Sequence, residues 1–114
     1  MNYDQSKTSE LNKVLLMIIE IFDPEKIILF GSQARGDYRE DSDFDLLIVD
    51  SAKPNHIGDL KIATVKARIK LIYEAIKTTS AEIEKYQNSS NHLLAKAKKE
   101  GVVLYERASK NPDN

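Results

Sequence analysis

The chain has 114 residues, 41% of them hydrophobic and 31% charged, with 17 Lys+Arg against 18 Asp+Glu for a net charge of −1. That is one domain with enough apolar material for a core, and the balance excludes disorder driven by charge and a bulk electrostatic grip on nucleic acid or anionic membrane. The absence of Cys excludes disulfides, thiolate metal sites and cysteine nucleophiles.

The net charge hides an asymmetry. Residues 1–50 carry 5 basic and 11 acidic side chains, a balance of −6, whereas residues 51–114 carry 12 basic and 7 acidic, a balance of +5. Six carboxylates crowd between Asp37 and Asp50 (Asp37, Glu40, Asp41, Asp43, Asp45 and Asp50), with Arg39 the one cation among them. Crowded carboxylates repel, and a divalent cation is a common reason to hold them together.

Taken in chain order, residues 1–8 are polar and expected to be loose; they contain no apolar signal core, and no apolar run approaches a membrane span. A cytoplasmic protein without membrane contact is the expectation. Leu11, Val14, Leu15, Ile18 and Phe22 recur at helical spacing and predict an amphipathic helix over residues 9–22, ended by Asp23-Pro24. Lys26-Ile-Ile-Leu-Phe30 reads as a buried strand broken by Gly31-Ser32, and residues 32–35 allow one helical turn. Residues 43–49 form the clearest strand, Lys53-Pro54-Asn55 a turn, and residues 56–67 a helix. Residues 69–78 fit a strand with Ile72, Glu74 and Ile76 on one face, or a continuation of the preceding helix; the strand fits better. A short helix over residues 80–86 capped by Thr79 or Ser80, a helix over 90–100 stopped by Gly101 at C′, and a strand over 102–105 complete the chain. The order α, β, β, α, β, α, α, β predicts an α/β (α+β) domain, a mixed sheet with helices packed on one face, spanning residues 9–107 between flexible ends at 1–8 and 108–114.

The chemistry concentrates in Gly31-Ser-Gln-Ala-Arg-Gly-Asp-Tyr-Arg-Glu-Asp-Ser-Asp-Phe-Asp-Leu46. Asp43 and Asp45, two apart on a strand, project the same way, about 5–7 Å from each other, and Phe44 projects oppositely into core. That spacing suits one or two hard divalent cations, and Mg²⁺ combines one or two carboxylates with substrate phosphates. Gly31-Ser32 ends a buried strand with free backbone N–H groups, the Ser32 hydroxyl adds a donor, and Arg35 one turn on brings a cationic fork suited to phosphate. Gly31 and Gly36 have P-loop spacing, but Asp37-Tyr38 follows instead of Lys-Ser/Thr. Asp41, Asp43 and Asp45 mimic the start of an EF-hand, yet Leu46 and Ala52 stand where Gly and Glu are required.

Together these residues resemble the active-site signature of the polymerase-β-like nucleotidyltransferase superfamily. The pattern G-S-x-A-R-G-D-x-x-x-x-S-D-x-D-L of its minimal (MNT) branch matches Gly31, Ser32, Ala34, Arg35, Gly36, Asp37, Ser42, Asp43, Asp45 and Leu46. The C-terminal Glu100-Gly-Val-Val-Leu-Tyr-Glu106 is similar to that branch as well. The resemblance implies that Gly31 and Ser32 hold the β- and γ-phosphates of a nucleoside triphosphate, ATP in particular. It implies that Asp43 and Asp45 bind two Mg²⁺ ions and that a third carboxylate on a neighbouring strand completes the metal site and helps activate the acceptor hydroxyl. Glu74 stands where the family places that group; if residues 69–78 were helical it would be a surface residue. The family often has Asp there, one methylene shorter.

Larger members of the superfamily carry further helical domains for the acceptor, so this chain is expected to draw part of its acceptor site from a partner. The resemblance to MntA-type antitoxins implies a HEPN-domain toxin as that partner, a hetero-oligomer with it, and transfer of AMP to one of its tyrosine hydroxyls. Neutralisation by binding alone, and modification of a small molecule in the manner of aminoglycoside nucleotidyltransferases, are the alternatives. His56 and His92 read as cap or surface residues, and Lys96, Lys98 and Lys99 as a solvated helix face.

Overall fold

A computed structural model describes residues 2–52 and 55–108; the expected turn at 53–55 falls largely outside them. Four strands, β1 (Lys26–Phe30), β2 (Phe44–Val49), β3 (Tyr73–Thr78) and β4 (Val102–Glu106), form one sheet in the order β3-β2-β1-β4. β1 pairs antiparallel with both β2 and β4, and β2 pairs parallel with β3. The parallel pair requires a crossover, which α3 (Ile57–Lys66) supplies. Residues 69–78 therefore resolve in favour of the strand, over their second half: Tyr73–Thr78 pair with β2 and residues 69–72 lead in.

Period-2 alternation divides the sheet residues between two faces. Ile27, Leu29, Phe44, Leu46 and Ile48 meet Leu11, Val14, Ile18 and Phe22 of α1 (Thr8–Phe22) and Leu60 of α3 in the main core. Phe30 and Leu47 meet Leu94 and Ala97 of α5 (Leu93–Glu100) in a smaller cluster on the other face, edged by Ile83 and Tyr86 of α4 (Ser80–Tyr86). The expectation of helices on one face describes α1 and α3; α4 and α5 cover part of the second. β2 is buried on both faces from Leu46 to Val49, as its apolar run there predicts.

The helix ends follow local chemistry. Thr79 caps α4, its hydroxyl accepting from the Glu82 N–H. His92 caps α5, Nδ1 accepting from the Leu94 N–H while its ring stacks on Tyr86 at 4.2 Å. His56 pairs with Asp59 at the start of α3. Gly101 does stop α5, but in extended backbone (φ −67°, ψ 147°) rather than left-handed. Its reason is space: a Cβ there would overlap the Ala97 carbonyl and the Ile28 side chain. Glycine thus lets α5 end hard against β1.

Residues 2–8, expected to be loose, make specific contacts. Tyr3 is buried with its ring edge-on to Phe44 at 5.9 Å, and residues 5–7 form a 3-10 turn started by Asp4.

Candidate active site

The signature residues gather at one end of the sheet, on the face that carries α5. β1 ends at Phe30, whose register partner is Asp45. Gly31 follows at φ +79°, a left-handed conformation that L side chains disfavour, and opens the four-residue helix α2 (Ser32–Arg35). A Cβ on Gly31 would overlap Asp45 Oδ2. The backbone turn and the carboxylate are therefore in contact, which the sequence pattern expressed only as a spacing. Gly36 closes α2 in the left-handed region, its N–H donating to the Ser32 carbonyl.

Asp45 lies on β2 and is half-buried, facing away from the main core; Phe44 faces into it, fully buried. Asp43 stands one residue before the strand, exposed, so the strand begins one position later than the sequence suggests. Glu74 on β3 is the parallel register partner of Asp45. Neighbours in register share a face, so these two carboxylates point the same way across adjacent strands. Burial pushes the Asp45 carboxyl up from its ordinary range, and the negative charges of Glu74, Asp43 and, more weakly, Glu100 add to the rise; Arg35 opposes it. This cluster is electrostatically frustrated as it stands, the condition a divalent cation relieves.

A metal ion's fit can be judged from the donors. They are hard carboxylate oxygens, suited to Mg²⁺. Among the described residues no three His, Cys, Asp or Glu side chains are gathered tightly enough to hold an ion unaided. Mg²⁺ in general takes one or two carboxylates and completes its shell with phosphate oxygens and water. Asp43, Asp45 and Glu74 are the carboxylates that could contribute to such a site.

The loop between α2 and β2 is tied by groups the sequence pattern left unassigned. Gln33 is fully buried; its Oε1 accepts from the Asp4 N–H (2.9 Å) and its Nε2 donates to the Ser42 carbonyl (3.3 Å). Ser42 closes a tight turn, its hydroxyl accepting from the Arg39 N–H (2.7 Å) while its N–H donates to the Arg39 carbonyl. Gln33 thus fastens the N-terminal segment and the approach to Asp43 to α2. The sequence carried no signal for this, since Gln33 stands in a polar stretch and its burial is a product of the fold.

Arg35 does not extend freely towards solvent. Nη1 donates to both oxygens of Glu100 (3.1 Å each) and Nε to both oxygens of Asp37 (3.2 and 3.3 Å). Two clefts, of about 330 and 580 Å³, flank the sheet; Ser80, Ile83 and Lys98 line part of the smaller, and Glu74 lies at the wall of the larger beside Leu60, Tyr73 and Ile72. Gly31, Ser32, Asp43 and Asp45 line neither of these two clefts. No helix among the described residues is long and apolar enough to cross a membrane.

Comparison with known proteins agrees with this fold. The family model described as "Polymerase beta, Nucleotidyltransferase" matches residues 12–110. A protein of Methanocaldococcus jannaschii named "Putative protein adenylyltransferase MJ0604" is 40% identical over 81 residues, covering 71% of this chain and 78% of its own length. A second from the same organism, "Putative protein adenylyltransferase MJ0141", is 42% identical over 52 residues, covering 46% of this chain and about half (52%) of its own length. A solved structure described as "Crystal structure of the toxin-antitoxin with AMP-PNP" superposes with a TM-score of 0.53 at 16% identity, over 84% of this chain and 73% of that one. That last likeness is one of fold.

Proposed function

We propose that this chain, which belongs to the polymerase beta nucleotidyltransferase family, is a Mg²⁺-dependent protein adenylyltransferase. In this reading it moves AMP from ATP to a hydroxyl of a partner protein, a tyrosine of a HEPN-domain toxin, and thereby acts as antitoxin. The observation that carries the reading is the contact between the Gly31 turn and the Asp45 carboxylate, with Glu74 in register beside it. It sets backbone donors for a triphosphate directly against carboxylates for a metal. The names of the two archaeal relatives support the protein acceptor, and the toxin–antitoxin neighbour shares the fold.

The residues take the following parts. The Ser32 hydroxyl and the N–H groups of the turn after Gly31, whose own N–H is held by Glu100, orient the β- and γ-phosphates. Asp43, Asp45 and Glu74 would hold Mg²⁺, which would supply charge stabilisation to the attacking and leaving oxygens. Glu74, at the exposed edge strand, receives the proton of the acceptor hydroxyl. The acceptor oxygen bonds to the α-phosphorus, the bond from that phosphorus to the bridging oxygen breaks, and pyrophosphate leaves.

Incubation of the chain and its partner with ATP and Mg²⁺, read by intact mass, tests this. The expected result is a gain of one AMP residue on the partner, abolished by Asp43→Asn with Asp45→Asn. A complex that forms without any adduct, and neutralises equally well with the double variant, overturns catalysis in favour of occlusion. Turnover of a small acceptor without a partner overturns the protein acceptor.

A further inference from the structure

Glu100 is the last residue of α5 and lies 69 positions from Gly31, yet its carboxylate sits at the centre of the signature. Oε1 accepts the Gly31 N–H (3.1 Å), and both oxygens accept from Arg35 Nη1 (3.1 Å each). Its placement is built into the backbone. Gly101 closes α5 through its N–H to the Ala97 carbonyl, packs without a Cβ against Ile28, and hands the chain to β4, where Val102 pairs with Leu29. The α5 terminus is thus pinned to β1 just before β1 turns at Gly31.

We infer that Glu100 is a positioning residue for the nucleotide site: it sets the Arg35 guanidinium, and the Gly31 turn beside it, in the geometry that receives triphosphate. This inference rests on the nucleotide reading proposed above. Arg35 is gripped on two sides, by Glu100 at Nη1 and by Asp37 at Nε. Nη2 has no hydrogen-bond partner among the described residues and remains to donate outward. A free arginine side chain has many rotamers, and fixing its planar fork beforehand removes that cost from binding. The opposite role, an internal anion that the nucleotide must displace, would require three bonds to one carboxylate to break, two of them to a guanidinium.

The test is a two-by-two set: wild type, Glu100→Gln, Arg35→Ala and the double variant, with Glu100→Asp as a second probe of reach. Glu100→Gln keeps an acceptor for the Gly31 N–H and removes the charge that grips Arg35. Binding of AMP-PNP with Mg²⁺ is measured by calorimetry, and KM and kcat for ATP are measured where turnover is seen. Glu100→Gln is expected to weaken AMP-PNP binding and raise KM on the order of tenfold with kcat little changed. Arg35→Ala is expected to weaken binding at least as much, and the double variant no further than Arg35→Ala. Glu100→Asp, with the charge but a shorter arm, is expected to fall between wild type and Glu100→Gln. Unchanged or tighter binding by Glu100→Gln overturns the inference, as does an equal loss in the Arg35→Ala background, which marks a structural effect independent of Arg35. Failure of the wild type to bind any triphosphate overturns the nucleotide reading and this inference with it, a result distinct from the others.

Discussion

Gly31 and Asp45 touch: a single methyl group on the glycine would occupy the space of Asp45 Oδ2. Gly31 directly follows β1, Asp45 lies on the adjacent strand β2, and the two are 14 positions apart in the chain. Gly31 also takes a positive φ, so a side chain there is strained in its backbone, while the Asp45 carboxylate, at the end of its side chain, would have to swing aside. Gly31→Ala is expected to lower stability by about 1–3 kcal/mol and to displace the Asp45 carboxylate. Urea unfolding measures the first effect; loss of Mg²⁺-dependent nucleotide binding measures the second. A variant of wild-type stability would refute the strain, and unchanged Mg²⁺-dependent nucleotide binding would refute the contact.

Asp45 yields a prediction of opposite sign. Its carboxyl is raised above the ordinary value of 3.8, by burial first and then by Glu74 and Asp43. In the pH range between the unfolded value and the raised folded one, the folded state binds more protons than the unfolded. Stability from this group therefore falls as pH rises through that range and stays lower at neutral pH. Asp45→Asn removes the penalty. Its metal-free Tm is expected to exceed that of wild type by a few degrees at pH 7, with the gap closing as pH falls towards 4. A scan of Tm against pH decides it, and a lower Tm for Asp45→Asn at pH 7 counts against the frustrated cluster.

Mg²⁺ is expected to reverse that order. Added to the wild type in excess it raises Tm, since a ligand of the folded state stabilises by mass action. EDTA cancels the gain, and Asp45→Asn shows little of it. Equal Mg²⁺ shifts in the two proteins would place the ion elsewhere.

Glu74 is expected to separate chemistry from folding. It is exposed on an edge strand, so Glu74→Gln should leave stability within about 0.5 kcal/mol of wild type while slowing transfer roughly 10²-fold or more. Thermal melts and transfer assays on one preparation test both halves. Full activity in Glu74→Gln would remove it from the site.

Gln33 is expected to behave as a structural tie. Gln33→Leu removes two hydrogen bonds and leaves the Asp4 N–H and the Ser42 carbonyl short of partners. A loss of about 1–3 kcal/mol follows, with faster hydrogen exchange at the Asp4 amide. Retained protection at Asp4 would show that the tie is dispensable.

Much of the site was readable along the chain because its chemistry is local there. Asp43 and Asp45 are two residues apart and Gly31, Ser32 and Arg35 lie within one short segment, so local spacing proposed them and the resemblance to a known signature joined them into one site. Glu74 was open between strand and helix, since ten residues of mixed pattern fit either period; pairing with β2 made the strand, and the register set it beside Asp45. Gly101 was read as a left-handed cap, where close approach to Ile28 is its reason. Gln33 and Glu100 drew no functional reading, because their partners lie 29 and 69 positions away.

The sequence by itself determined the element types, the buried central strands and the acidic signature, all products of side-chain chemistry at short spacing. The tertiary structure decided which distant groups meet: Asp45 with Glu74 through parallel pairing, Gly31 with Asp45 through antiparallel pairing, and Arg35 with Glu100 through the end of α5. A hydrophobic pattern states which face of an element is buried, whereas register and packing choose its neighbour. The opening balance of charge illustrates the difference. The acidic half and the basic half meet in the ion pair of Arg35 with Glu100, an arginine from the acidic half and a glutamate from the basic half.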